Sequence, residues 1–202
     1  MKVLITGFEP FNKENINPSW EAVRILPDEI DGHSIVKLQL PTVFNKSSKL
    51  LIENIKTHNP DIVISVGEAG NRTDITIERV AINIDDARIE DNEGNKPIDK
   101  PIVENGNGAY FSTLPIKDIV ENIKKAIIPA SVSNTAGTYV CNHIMYSTLH
   151  YIKENKLNIK SGFIHVPYLP IQVLDKKNTA SMEQTTTSKA LEIAIKTTLN
   201  SF

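Results

Sequence analysis

Short apolar runs alternate with amphipathic stretches along this 202-residue chain, and that alternation restricts the fold more than any other feature. Five apolar runs are predicted to be strands, at residues 3–5, 34–40, 61–66, 127–132 and 162–166. Five helices are predicted, at residues 17–27, 46–58, 116–126, 142–154 and 182–200. Strands that alternate with crossover helices indicate an α/β fold, a mostly parallel twisted sheet with helices on both faces.

The middle of the chain departs from this pattern. Residues 75–84 alternate apolar and polar side chains, so they are predicted to form one further strand. Residues 85–107 are polar and are predicted to be a loop or a pair of short strands. In sheets of this class, sites form at the carboxyl ends of the strands. That rule selects four segments, Thr6–Phe11, Gly67–Arg72, Ser133–Asn142 and His165–Pro167.

Composition excludes several classes of protein. Lys and Arg total 22 against 24 for Asp and Glu, so the charge gives no reason to expect a nucleic acid or an anionic membrane as partner. The apolar runs are too short for a membrane-spanning helix or for the core of a signal peptide. A single cysteine excludes an intrachain disulfide. We therefore predict a soluble, cytoplasmic protein with a single domain over residues 1–202.

Cys141 is the first candidate for chemistry. It follows a polar turn after an apolar strand and precedes a predicted helix. A thiol at a helix N-terminus is exposed to the positive end of the helix dipole, which lowers its pKa, and the free N–H groups there can hold an oxyanion. The alternative is a buried structural cysteine. Local sequence leaves both interpretations open.

A cysteine hydrolase needs a base, usually histidine. His165 ends an apolar strand at the predicted carboxyl edge of the sheet, so we favour it as the base. The other four histidines are better explained by exposure or by helix packing: His33, His58, His143 and His150.

A third group should orient the imidazole. Glu78 interrupts an apolar alternation beside Arg79, although an exposed carboxylate paired with a cation explains the same pattern. The acidic cluster at residues 85–93 matches no calcium loop and is predicted to be solvated. Cys141 with His143 is a poor zinc pair, so no metal is predicted.

Five segments together resemble the pyroglutamyl peptidase I family, also called pyrrolidone-carboxylate peptidases. The long motifs cover residues 67–83 and 128–142, and shorter matches lie at residues 6–11, 17–20 and 163–167. The resemblance spans residues 3 to about 175.

This resemblance implies a three-layer α/β/α sandwich and a single catalytic domain. It implies a cysteine peptidase that removes N-terminal pyroglutamate (5-oxoproline) from peptides through a thioester, without cofactor or metal. Glu78, Cys141 and His165 match the family's catalytic triad, and Arg88 matches an arginine that supports the oxyanion or the Glu78–His165 geometry. The implied protein is a cytoplasmic homotetramer. The implied substrate pocket consists of Phe8, Phe11, Asn17, Thr42, Glu68, Ile89, Tyr139 and Val140.

Three positions depart from the family pattern. Glu68 stands where Gln is expected, Glu90 where Pro is expected and Asn71 where Gly is expected. An ionised Glu68 only accepts hydrogen bonds, so it cannot donate to a lactam carbonyl.

Two other functions remain as alternatives for this sequence. A phosphorylase-like enzyme on a related sheet needs a basic anion site, and no Lys or Arg cluster follows a predicted strand. A binding protein that has lost catalysis is supported only by Glu68 and Glu90; slow alkylation of Cys141 would favour it.

Overall fold

A central sheet of seven strands divides the protein into two helical layers. The computed structural model describes residues 1–70 and 72–202, so the departure at Asn71 lies outside the described residues. The strands of the large sheet are β1 (Lys2–Phe8), β2 (Glu29–Ile30), β3 (His33–Leu40), β4 (Ile62–Glu68), β5 (Ile75–Glu78), β8 (Ala130–Ser133) and β9 (Lys160–Val166). Two more strands form a separate small sheet, β6 (Val80–Ile82) and β7 (Ala109–Phe111).

Helices cover both faces of the large sheet. They are α1 (Pro18–Arg24), α2 (Lys46–His58), α3 (Ile116–Lys125), α4 (Val140–Glu154) and α5 (Gln184–Leu199), with a 3₁₀ turn at Pro170–Val173. Alternate residues of β1 separate the two cores: Val3 and Ile5 pack with α1, α3 and α5, whereas Leu4 packs with α2 and α4. The predicted α/β/α sandwich is therefore confirmed. Among the described residues, no helix is long and apolar enough to cross a membrane.

The strand directions differ from a simple parallel sheet. The order is β2-β3-β1-β4-β9-β5-β8, and β3, β1, β4 and β9 run parallel. β5 runs antiparallel to β9 and parallel to β8. The carboxyl ends of β1, β4 and β9 therefore lie at one edge of the sheet. β8 runs the other way, and the selected segment after it reaches the site through the turn that leads to Cys141. Residues 134–139 carry the chain from β8 to α4 on the sheet face. Apolar composition could not show this reversal, because a buried strand has the same composition in either direction.

The predicted strand at residues 75–84 is wrong in one respect. β5 belongs to the large sheet, and β6 pairs with β7 instead. Arg79 joins the two sheets: its N–H donates to the carbonyl of Ser133 at 2.8 Å, and its carbonyl accepts from the N–H of Ser112 at 2.9 Å. One hydrophobic alternation thus covers two strands in different sheets. Residues 85–107 form a loop with an isolated bridge between Asp85 and Lys100.

One predicted helix start and one predicted helix end have clear local causes. Asn17 caps α1, since its side chain accepts a hydrogen bond from the N–H of Ser19, and Pro18 takes the first helical position. α2 has the predicted bounds, and it ends at Asn59, which adopts the left-handed conformation that stops helices.

Candidate active site

Cys141 lies in the first turn of α4, above the carboxyl ends of β4 and β9. Gly67 at the end of β4 makes room for the thiol, because a Cβ at this position would lie 2.9 Å from Sγ of Cys141 and 2.8 Å from the Phe163 ring. A side chain there would displace the sulfur or the ring. The close packing of thiol and sheet therefore depends on a glycine.

His165 and Glu78 are brought together by the antiparallel pairing of β9 with β5. Thr76 lies opposite His165, so Glu78, two residues further along β5, lies diagonally from it on the same face. His165 Nδ1 is 2.7 Å from Glu78 Oε1, and both side chains are buried. An ionised carboxylate only accepts, so Nδ1 carries the proton and Nε2 is left as a lone-pair base. The interpretation of Glu78 as an exposed strand residue is wrong.

Arg72 is the residue of this site that the sequence analysis missed. Its Nη1 donates to Oε1 of Glu78 and to Oγ1 of Thr76, and its Nη2 donates to the carbonyl of Thr135 at 3.1 Å. Arg88, which the resemblance placed in a supporting role, is exposed at the wall of a cavity. Within the described part of the chain Arg88 makes no hydrogen bond or ion pair to Glu78 or His165. The contact is local, because Arg72 lies in the loop that leads into β5 and bonds to Thr76 and Glu78 of that strand.

Burial determines the charges of the site. Burial, together with the negative charges of Glu78 and Glu68, raises the pKa of the Cys141 thiol to about 12. Burial lowers the pKa of His165 against the opposing effect of its hydrogen bond to Glu78, and the charge of Arg72 lowers it as well. Burial alone would raise the pKa of Glu78, but hydrogen bonds from His165 and Arg72 lower it overall.

The resting site is therefore a neutral thiol, a neutral imidazole and an ionised carboxylate. A backbone hydrogen bond lowers the pKa of the Cys141 thiol, as expected at a helix N-terminus, but loss of solvation outweighs it and the pKa is raised overall.

Two adjoining cavities meet at Cys141. The smaller has a volume of about 130 Å³ and is lined by Phe8, Phe11, Asn17, Thr42, Glu68, Tyr139, Val140 and Cys141. The larger has a volume of about 450 Å³ and shares four of these residues, Phe11, Glu68, Tyr139 and Cys141. Its other lining residues include His165, Asp86, Arg88 and Ile89. Of the residues expected in the pocket, only Ile89 lies in the larger cavity and not in the smaller one.

The polar wall of the small cavity is fixed by the chain itself. Asn17 accepts from Ser19 and donates to the carbonyl of Glu9 at 3.0 Å. The carboxylate of Glu9 accepts from the N–H of Thr42 at 3.1 Å. Since these groups are held before any ligand arrives, little side-chain freedom is lost on binding.

Glu68 reaches the junction of the two cavities from the end of β4. Its Oε2 accepts a hydrogen bond from Nε2 of Gln172 at 3.1 Å. Burial raises the pKa of this carboxyl group despite that hydrogen bond. Glu68 is therefore held closer to its neutral form than an exposed glutamate, and a neutral carboxyl group can donate as well as accept.

The acidic loop is more ordered than expected from its composition. Asp91 is buried and accepts from the N–H groups of Phe44, Glu93 and Asn95 at 2.8–2.9 Å. Asp85 is buried against His143, with 2.8 Å between Oδ2 and Nδ1. The prediction of a solvated acidic cluster is thus wrong for these two residues. Outside position 71, no cluster of three His, Cys, Asp or Glu side chains is arranged to hold a metal ion.

Comparison with known proteins identifies the family. The family model described as pyroglutamyl peptidase matches residues 1–201. A pyrrolidone-carboxylate peptidase of Brachyspira hyodysenteriae is 62% identical over 199 residues, which are 98% of this chain and 99% of that protein. Pyrrolidone-carboxylate peptidase 2 of Caldanaerobacter subterraneus is 61% identical over 100% of this chain and 98% of its own length.

Solved structures agree with this result. Pyroglutamyl peptidase I of Bacillus amyloliquefaciens has a TM-score of 0.94 and 52% identity, covering 98% of this chain and 97% of that one. A mutant pyrrolidone carboxyl peptidase of Pyrococcus furiosus has a TM-score of 0.95 and 44% identity, covering 100% and 99%. Since sequence and fold agree over almost the whole length, the chain belongs to the pyroglutamyl peptidase family and is an enzyme.

Proposed function

We propose that this enzyme removes pyroglutamate from the N-terminus of peptides, with Cys141 as nucleophile, His165 as proton carrier and Glu78 as the group that orients His165. One observation carries the proposal. Cys141 and His165 line the same cavity, while Nδ1 of His165 is held 2.7 Å from Glu78. This leaves Nε2 as the available base on the side of the thiol.

The small cavity supports the choice of substrate. Pyroglutamate is an uncharged ring with one N–H and one C=O, and a space of about 130 Å³ with Phe8, Phe11 and Tyr139 in its walls suits a single small ring. Glu68 is the polar group at its inner junction, and in neutral form it pairs with the lactam as donor and acceptor. The peptide beyond the scissile bond occupies the larger cavity.

The first step is attack with proton transfer. As Sγ of Cys141 bonds to the carbonyl carbon of pyroglutamate, Nε2 of His165 takes the thiol proton, which is required because the resting thiol is protonated. The carbonyl oxygen becomes an oxyanion. Free backbone N–H groups in the first turn of α4 stabilise it, and Arg88 lies on the wall of the same cavity.

The later steps return the enzyme to its resting state. The imidazolium of His165 gives its proton to the leaving amine, the carbon–nitrogen bond breaks and a thioester remains on Cys141. Water then gives a proton to His165 and attacks the thioester, and the thiol leaves with that proton. One water molecule is consumed, and the products are pyroglutamate and the shortened peptide.

The test is release of a fluorophore from a pyroglutamyl-coupled substrate, compared with the same fluorophore coupled to proline. Turnover of the first compound and at least about tenfold slower turnover of the second is expected, since proline lacks the lactam carbonyl and carries a charge. Equal turnover of both would reject the substrate pocket. No turnover by folded protein whose Cys141 alkylates slowly would favour a binding protein.

Three further proposals follow from the resemblance. Residues 1–202 form one catalytic domain, four copies assemble into a homotetramer and the enzyme acts in the cytoplasm. Light scattering of the purified protein measures the assembly, and a monomer mass would reject the tetramer.

A further inference from the structure

We propose that Arg72 is a positioning residue that ties Glu78 to the turn before the nucleophile and keeps His165 in its neutral, base-competent form. The proposal rests on the proposed function, since it concerns the same three side chains. Arg72 lies in the loop between β4 and β5, six residues before Glu78.

The contacts of Arg72 divide between two parts of the site. Nη1 donates to Glu78 Oε1, the oxygen that also accepts from His165. Nη2 donates to the carbonyl of Thr135, in the turn between β8 and α4. One planar guanidinium therefore joins the strand that carries Glu78 to the segment that leads to Cys141.

The charge of Arg72 has a second consequence. A buried carboxylate with only an imidazole beside it would favour the protonated imidazolium. Arg72 forms an ion pair with Glu78 and so compensates its negative charge. The charge of Arg72 also acts to lower the pKa of both His165 and Cys141. The imidazole can therefore stay neutral beside an ionised Glu78, which is the state that accepts the thiol proton.

Arg79 provides a matched control. It is adjacent to Glu78 in sequence, and its Nε donates to Oδ1 of Asn134 at 2.8 Å, in the same turn that Arg72 contacts. In the described chain Arg79 makes no ion pair with Glu78. The two arginines thus differ in their contact with the carboxylate, not in their contact with the turn.

The experiment measures kcat, KM and the pH profile of kcat/KM for Arg72→Met, Arg72→Lys and Arg79→Met. Arg72→Met should lose about 100-fold in kcat, the scale of a 1 Å misplacement, with KM nearly unchanged. The acid limb of its kcat/KM profile should shift to higher pH by about one unit or more, because His165 is easier to protonate once the neighbouring cation is lost. Arg72→Lys should restore the acid limb but not the full kcat, because lysine supplies charge without the planar fork.

Arg79→Met should leave both measurements unchanged. An Arg72→Met enzyme whose acid limb stays in place would overturn the proposal, whatever its kcat, because a purely structural role lowers activity without moving that limb. If Arg72→Met does not fold, Arg72→Lys becomes the test. A wild-type kcat in Arg72→Lys would overturn the requirement for the planar guanidinium.

The proposed function and the proposed role of Arg72 can fail separately. If the wild-type enzyme does not cleave pyroglutamyl substrates, the proposed function fails, and titration of the His165 ring by NMR still tests Arg72. A raised imidazole pKa in Arg72→Lys and Arg72→Met alike would reject a charge effect; a rise in Arg72→Met alone would support it.

Discussion

Two buried histidine–carboxylate pairs lie on the same side of the sheet in the described residues, and only one of them shares a cavity with Cys141. His165 Nδ1 is 2.7 Å from Glu78, and His143 Nδ1 is 2.8 Å from Asp85. The two histidines are 4% and 1% exposed, so burial does not distinguish them. Their Nδ1 contacts do not distinguish them either.

The pairs differ at the second ring nitrogen. His143 Nε2 accepts from the N–H of Asn45 at 3.2 Å and lies 3.0 Å from Ser48 Oγ. Ser48 donates its hydroxyl proton to the carbonyl of Asn45. Ser48, His143 and Asp85 thus have the distances of a serine triad, but the lone pair of the imidazole is already used. His165 instead lines the same cavity as Cys141, and among the described residues its Nε2 makes no hydrogen bond.

A neighbouring carboxylate therefore identifies an oriented imidazole and nothing more. The contacts of Nε2 determine whether such a pair is available for catalysis or stabilises the fold. His143 joins the acidic loop, through Asp85, to the start of α2 at Asn45 and Ser48, so we assign it to stability.

The largest expected difference is between the two nucleophile positions. Cys141→Ala should lower kcat by at least about 10⁴-fold, whereas Ser48→Ala should change it less than about twofold. Both are measured with the pyroglutamyl fluorogenic substrate, and circular dichroism confirms that each variant is folded. If Cys141→Ala retained turnover, or Ser48→Ala lost it, the proposed difference between the catalytic and the structural pair would be contradicted.

The two histidines should separate activity from stability. His165→Ala should lower kcat, and the rate at which iodoacetamide alkylates Cys141, by about 10³-fold, the scale of a lost proton acceptor. Its loss of stability should be moderate, because Arg72 still pairs with Glu78.

His143→Ala should instead destabilise the fold by about 3 kcal/mol or more, because it leaves the Asp85 carboxylate buried without its partner. Urea unfolding measures this difference, and His150→Ala on the same helix is the control. If His143→Ala unfolds at the wild-type midpoint, its assignment to stability is wrong.

The pH profile should report His165 and not His143. Burial lowers the pKa of His165 below its ordinary value of 6.5, so the acid limb of kcat/KM should lie below pH 6.5. A lowered histidine pKa means that the folded state binds fewer protons than the unfolded state. Its contribution to stability is present above pH 6.5 and is lost as pH falls towards the folded pKa. His143→Ala should leave the acid limb in place, and a limb above pH 6.5 would contradict the neutral resting imidazole.

The smallest expected effect concerns Glu68, a carboxyl group that lines the cavity beside Cys141 and bonds to Gln172, not to a histidine. Burial raises its pKa, so Glu68 is more often ionised, and less able to donate, as pH rises. Glu68→Gln should lower KM by about fivefold at high pH, the value of one hydrogen bond of about 1 kcal/mol, and should change it little at low pH. KM measured against pH for both proteins tests this, and parallel curves would show that Glu68 does not contact the lactam through its proton.

The sequence predicted what local patterns determine. The bounds of α2 follow from its amphipathic pattern, and the carboxyl-end rule selected the ends of β1, β4 and β9. Strand direction depends on pairing between distant segments, so the reversal of β5 and β8 was missed. The contact of Arg72 with Glu78 is short-range, but the path of the loop that makes it is not visible in the sequence. The raised pKa of Cys141 was missed as well, because a helix start is visible in sequence but its burial is not.

The strand order β4-β9-β5 has a consequence for synthesis of the chain. β9 is added last among the large-sheet strands, yet it lies between two strands that emerge much earlier from the ribosome. Until residues 160–166 are made, β4 and β5 have unpaired edges, and Glu78 has no imidazole to orient. Pairings this distant in sequence form slowly. The strand that closes the sheet and the proposed base His165 are therefore added to the chain in one late event.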